Sequence, residues 1–118
     1  MMSFRFQELQ IWQEAIELTD ELLDVADEVE ELRKFKFAEQ LRGAVMSISN
    51  NISEGSGSFS NKDFANFLNM SRRSTFEVVN ILTIFQRRNY IDVSFYEQQT
   101  IKLDQLSRKI TNFRKSLL

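Results

Sequence analysis

The chain contains no proline, and its three glycines (Gly43, Gly55 and Gly57) lie close together. Proline costs about 3 kcal/mol in a helix interior and glycine about 1 kcal/mol against alanine. A sequence so poor in both favours long helices. Apolar residues recur at helical spacing through four segments separated by short polar stretches. This pattern predicts an all-α protein, an antiparallel up-down-up-down four-helix bundle forming one domain over residues 1–118. A chain of 118 residues buries roughly two-thirds of its unfolded surface, enough for one core.

The spacing predicts a first helix over 7–29. Its apolar residues, among them Leu9, Ile11, Trp12, Ile16, Leu18, Leu22 and Leu23, fill an arc of roughly 200°, wider than the ~100° a surface helix needs. The excess predicts packing on two sides, one within the bundle and one against a neighbouring subunit. The opposite face, with Glu14, Glu17, Asp20, Glu21, Asp24, Asp27 and Glu28, reads as a solvated acidic surface. Residues 30–34 read as a connection without a strong cap or breaker.

A second helix is predicted over 35–54, with a core stripe through Leu41, Val45, Ile48 and Ile52. Its other broad face holds Gln40, Gly43, Ser47, Asn50, Asn51 and Glu54, small and amide-rich. Gly43 in a helix interior implies a packing reason. Gly55-Ser56-Gly57-Ser58 is the clearest break, with Gly55 suited to a left-handed helix end. That run lacks the Gly-Lys-Ser/Thr ending of a nucleotide-binding loop.

Ser60 and Asp63 form a capping box flanked by Phe59 and Phe64, and the third helix continues to about Arg88. Serines at its inward positions 71 and 74 point to close packing. Phe76 and Ile84 fall outside its main stripe, as ordinary exposed residues or as contacts with another chain. Ser94 and Glu97 form a second box before a fourth helix. Its seam, Tyr96, Gln99, Leu103, Leu106, Ile110, Phe113 and Leu117, has one polar interruption.

Charge is divided along the chain. Residues 1–61 carry five Lys/Arg against twelve Asp/Glu, a net of −7, and residues 62–118 carry ten against five, a net of +5. The division has two readings: acidic and basic helices that neutralise each other side by side, or a second half that offers a basic surface to an acidic partner such as RNA. The nucleic-acid candidates are Arg72, Arg73, Arg87 and Arg88 on the third helix, and Lys102, Arg108, Lys109, Arg114 and Lys115 on the fourth. Lys102 and Lys109 share a face, as do Arg108 and Lys115.

Histidine and cysteine are both absent. Their absence removes disulfides, thiolate metal sites, the usual di-iron centre of helical bundles and histidine-ligated haem. No base stands beside a candidate nucleophile in a supportive context. Asn51 and Glu54 share a face and read as a polar site at a helix end, or as a hydrogen-bonded network fixing register or a subunit contact. The expectation is a non-enzymatic protein with no cofactor, metal or small-molecule substrate. The N-terminal stretch lacks the apolar run of a signal peptide. No segment approaches the ~20 apolar residues of a membrane span, so a cytoplasmic location is expected and the glycosylation triplet Asn51-Ile52-Ser53 is a chance match.

Leu9-Gln10-Ile11-Trp12-Gln13-Glu14-Ala15 resembles the opening motif of a bacterial four-helix-bundle family encoded by intervening sequences of large-subunit ribosomal RNA genes. The segment Gln40-Leu41-Arg42-Gly43-Ala44-Val45-Met46-Ser47-Ile48-Ser49-Asn50-Asn51-Ile52-Ser53-Glu54-Gly55 carries the strongest resemblance. The family pattern there is close to Gln-Leu-Arg-Arg-Ala-x-x-Ser-Ile-x-x-Asn-Ile-Ala-Glu-Gly. Lys62-Asp63-Phe64, Phe67-Leu68, Ser71-Arg72-Arg73-Ser74 and Glu77 resemble a third motif. Gly43 stands where the family usually has Arg, and Arg73 where it often has Gly. The resemblance implies a bundle that assembles as a homopentameric ring. A related group, the accessory proteins of diversity-generating retroelements, is strongly basic and binds nucleic acid. Trp12 on the wide apolar face of the first helix, and Gln40, Gly43, Ser47, Asn51 and Glu54 on the small polar face of the second, are the positions expected to serve assembly or structure.

Overall fold

The computed structural model describes residues 4–118. A 3-10 turn, Arg5–Glu8, precedes four helices: α1 (Gln10–Glu31), α2 (Phe35–Ser56), α3 (Asn61–Arg87) and α4 (Val93–Leu117). Each helix packs against its neighbours in the chain, and α4 closes more loosely on α1. Pairings such as Glu14 with Lys109 and Glu21 with Lys102 run in opposite directions along α1 and α4. The order is that of an antiparallel up-down-up-down bundle, 43 Å long and 24 Å across, as the periodicity predicts. α1 and α3 lie at opposite corners, with no close approach of their backbones.

The tightest seam joins α2 to α3. Ser71 is fully buried and donates from Oγ to the Ile48 carbonyl across the seam at 2.7 Å. Ser47 donates to Ser74 Oγ at 2.6 Å. The inward serines therefore do allow close packing, and each finds a partner for the hydroxyl it buries. Gly55 belongs to the same seam. It stays inside α2 with no positive φ, so the expected left-handed helix end does not occur there. A Cβ at this position would stand 2.6 Å from Phe67 Cβ and 2.9 Å from Phe64 Cδ1. The glycine is a packing residue that lets the two aromatic side chains of α3 approach the α2 backbone.

Left-handed backbone occurs instead at Arg33 (φ 65°) and Asn89 (φ 63°). Each follows a helix end. Lys34 N–H reaches the Val29 carbonyl, and Tyr90 N–H reaches that of Phe85. These long return bonds satisfy the last carbonyls of α1 and α3. This explains how α1 terminates at a connection without glycine.

The starts differ from expectation at two places. Leu9 is extended (φ −79°, ψ 128°) and is the residue from which α1 begins, so α1 starts later than residue 7. The preceding turn folds Phe6 onto Trp12, ring centres 5.1 Å apart. Ser60 caps α3 as predicted, accepting from Asp63 N–H at 3.1 Å. At α4 the cap is Asp92, whose Oδ1 accepts from Phe95 N–H at 2.7 Å, and Ser94 lies inside the first turn. A carboxylate at the helix start gains both the hydrogen bond and the favourable end of the helix dipole.

Most of the wide apolar arc of α1 packs within the bundle, and Ile16 and Leu23 remain half-buried at its edge. Leu9 and Trp12 pack against the core, and no large apolar side chain of α1 is left exposed. The N-terminal turn covers the apolar surface at Trp12, whereas Ile16 and Leu23 stay partly exposed. The exposed apolar residues lie elsewhere, including Phe37 and Met46 on α2, Met70, Phe76 and Ile84 on α3, and Ile101 on α4.

Two glycines of α2 should respond oppositely to alanine. At Gly55 the added methyl meets Phe67 and Phe64, and thermal unfolding should show a loss of about 1–3 kcal/mol. At exposed Gly43 a Cβ would meet nothing within 4 Å, so alanine should stabilise the isolated subunit by roughly 0.5–1 kcal/mol.

Candidate nucleic-acid interface

The bundle order sorts the sequence-predicted cations into separate groups. Lys102 and Lys109 face α1. Lys102 Nζ lies 3.0 Å from Glu21 Oε1, and Lys109 Nζ lies 2.7 Å from Glu14 Oε1. These two cations pair with acidic residues across the α1–α4 seam and lie away from the α3/α4 groove. The same seam seats Gln99, the polar interruption of the α4 stripe. Its side chain is 1 % exposed and donates from Nε2 to Glu21 Oε2 at 2.6 Å. That hydrogen bond lowers the Glu21 pKa most. Partial burial opposes it, and the hydrogen bond and positive charge of Lys102 add to the lowering.

Arg72, Arg108 and Lys115 come together in the opposite groove, between α3 and α4. They line a cleft of about 440 Å³ with Phe76, Asp104, Ser107, Thr111 and Asn112. The Arg72 guanidinium carbon sits 4.7 Å from the centre of the Phe76 ring, and Phe76 is 57 % exposed. Arg108 also pairs with Asp104 at 3.0 Å, one turn earlier on α4. Exposed pairs of this kind contribute only about 0.2–1 kcal/mol, so Arg108 remains available to a stronger anion. The cleft continues into an apolar hollow of about 220 Å³ floored by Val79 and Leu103. Chemically, the groove combines cations for phosphate, an aromatic face for stacking, and hydroxyl and amide groups for hydrogen bonds.

The other candidates lie apart from this groove. Arg73, Arg87 and Arg88 are exposed along and just beyond α3. Arg114 donates from Nε to the Ala65 carbonyl at 3.1 Å, a tie between α4 and α3. Sequence spacing placed Arg108 and Lys115 on one face but missed Thr111 and Asn112 between them, and it left Phe76 unassigned. The signal was present, since all four α4 residues fall at spacings of three and four. What identifies the site is the antiparallel register of α3, which brings Arg72 and Phe76 opposite them.

The positions marked for assembly are equally divided. Trp12 is half-buried beneath Phe6. Ser47 is engaged with Ser74, and Asn51 donates to the Ser47 carbonyl within its own helix at 2.8 Å. Gln40, Gly43 and Glu54 are exposed. Asn51 and Glu54 do not hydrogen-bond to each other among the described residues, so the expected network is not made within one chain. The open space around Gly43 likewise supplies no packing reason for a glycine inside a single subunit.

The sequence pattern of the 23S rRNA-intervening sequence protein family matches residues 7–112. The chain belongs to that family. Among solved structures, its fold is similar to that of a protein of unknown function from the S23 ribosomal protein family of Bacteroides thetaiotaomicron VPI-5482. The TM-score is 0.84 at 23% identity, over 89% of this chain and 98% of the other. At that identity the likeness concerns the fold. No curated protein sequence matches this chain significantly. Among the described residues of this intervening-sequence family member, no helix is long and apolar enough to cross a membrane.

Because Glu21 has a lower pKa folded than its ordinary value of 4.5, its contribution to stability is complete above that value. It is lost as pH falls through the lower folded value. Glu21→Gln should therefore reduce stability near neutral pH by about 1 kcal/mol or less. Urea unfolding across a pH series should show the two proteins converging in acid.

Proposed function

We propose that this protein is a non-enzymatic subunit of a cytoplasmic homo-oligomer that associates with RNA through the α3/α4 groove. The observation that carries the reading is the convergence of Arg72, Arg108 and Lys115 around the exposed ring of Phe76. Three cations in one cleft suit a run of backbone phosphates. An aromatic face among them suits an unpaired base, because stacking is tolerant of sequence. The groove therefore favours single-stranded RNA segments over the deep grooves of a duplex. The resemblance of the chain to ring-forming relatives supports a homopentamer as the assembled state, and the α2 positions left without an internal role support a surface reserved for that assembly.

A protein-only assembly module is the second reading. It is favoured by the loss of Lys102 and Lys109 to Glu21 and Glu14, which leaves a smaller basic surface than the α4 sequence suggests.

Titration of ribosomal RNA fragments over a salt series separates the two. If three phosphates are neutralised, log affinity should fall with log salt at a slope of about −2 for single strands. The triple variant Arg72→Ala, Arg108→Ala, Lys115→Ala should bind on the order of tenfold or more weakly. Phe76→Ala should weaken single strands more than duplexes. Absence of binding at low salt, or binding indifferent to salt, would refute RNA association and leave the protein-only reading.

A further inference from the structure

The opposite corners occupied by α1 and α3 turn their solvent faces in opposite directions. α1 carries nine carboxylates and neither Lys nor Arg. Glu14, Glu21, Asp27 and Glu30 are engaged by Lys109, Lys102 and Arg42. Glu17, Asp20, Asp24, Glu28 and Glu31 have no ion-pair partner among the described residues. These five follow one another at spacings of three and four, so they crowd one helical face where like charges repel.

The outer face of α3 is the converse. Arg73 and Arg87 are exposed with Asn80 between them, and neither arginine has an ion-pair partner among the described residues. Glu77, the single carboxylate of α3 beyond its first turn, is exposed on this same face, four residues after Arg73 and three before Asn80, so the face carries two arginines against one carboxylate. The two faces also agree in repeat. Glu17, Asp24 and Glu31 recur every seven residues, and so do Arg73, Asn80 and Arg87. At 1.5 Å per residue each run extends about 21 Å along its helix.

We infer that the acidic face of α1 docks against the Arg73–Arg87 face of α3 of a second copy of this chain. The inference deepens the assembly part of the proposed function and rests on it. Its arginines are not among the groove cations Arg72, Arg108 and Lys115, although Phe76 stands only three residues from Arg73 on the same helix, so the two surfaces adjoin. Because the two faces differ and point away from each other, the contact is head-to-tail. Each copy offers one acidic and one basic face, and repetition gives a closed ring where the rotation permits and an open filament where it does not. The unpaired carboxylates of α1 are thereby neutralised between subunits, as Glu14 and Glu21 are neutralised within one.

The test is mass in solution of the full chain and two charge-reversed variants, by sedimentation. One carries Glu17→Lys, Asp24→Lys and Glu31→Lys, and the other Arg73→Glu and Arg87→Glu. All five positions are exposed, and helical circular dichroism checks that each variant folds. Each variant alone should fall to monomer mass. An equimolar mixture should regain assembly with the copies alternating; since five copies cannot alternate around a closed ring, the mixture should give open or even-numbered species in place of a homopentamer. Wild-type assembly should weaken toward about 1 M salt, where the screening length falls to about 3 Å. If a reversed variant does not fold, the neutral set Glu17→Gln, Asp24→Asn, Glu31→Gln should still lower the assembled mass. A folded variant that keeps the wild-type mass, or a mixture that stays monomeric, overturns this contact and leaves the assembly reading standing. A wild-type monomer at low salt overturns both. Loss of RNA affinity in the arginine variant without any change in mass also overturns the contact, and assigns that face to RNA instead.

Discussion

The close approach of α2 and α3 is the constraint on which the other packing depends. Gly55 removes the only side-chain atom that would hold the α2 backbone away from Phe64 and Phe67, and Ser71 and Ser47 then bridge the two helices with short hydrogen bonds. A seam this tight admits small side chains and satisfied hydroxyls, and little else. With α2 and α3 fixed as neighbours, α1 can cover only the free side of α2, and α4 only the free side of α3. That order makes α1 and α3 diagonal, and it closes the bundle through the looser α4–α1 seam.

The looser seam is where charge substitutes for close packing. The α4 lysines Lys102 and Lys109 meet Glu21 and Glu14, and the buried Gln99 anchors Glu21 from beneath. On the α1–α2 side Arg42 gathers Asp27, Glu30 and Glu39 within 2.9 Å, and these carboxylates push the guanidinium pKa further up. Internal pairing thus removes cations from both halves of the chain. The basic character that remains lies in the α3/α4 groove, on the outer face of α3 and around the α1–α2 connection, where Arg33, Lys34 and Lys36 are exposed, so the basic surfaces are small and distinct rather than one continuous patch.

The fold was largely legible in the sequence. The lack of proline, the four apolar repeats and the Ser60 cap all reported the helices correctly, because helix formation is governed by residues three and four apart. The errors fell at chain reversals. Arg33 and Asn89 take the left-handed conformation that glycine was expected to supply, and Gly55 is needed for interhelical contact instead. A glycine required for φ and one required for space look alike in one dimension. The candidate site was half legible: Arg108 and Lys115 share a face by spacing, yet nothing in α4 alone indicates that Arg72 and Phe76 lie opposite them, or that Lys102 and Lys109 are already paired.

The sequence by itself determined the helical class, the number and approximate length of the helices, and the division of the chain into an acidic and a basic half. These are local or additive properties. The tertiary structure decided which part of the wide apolar arc of α1 enters its own bundle and which part stays half-buried. It also decided which cations are neutralised, which gather around Phe76, and which acidic and basic faces look away from each other. Those outcomes depend on the angular order of four helices around one core. That order is set where α2 meets α3, at contacts between residues distant in the chain, and the period of a single helix carries no record of it.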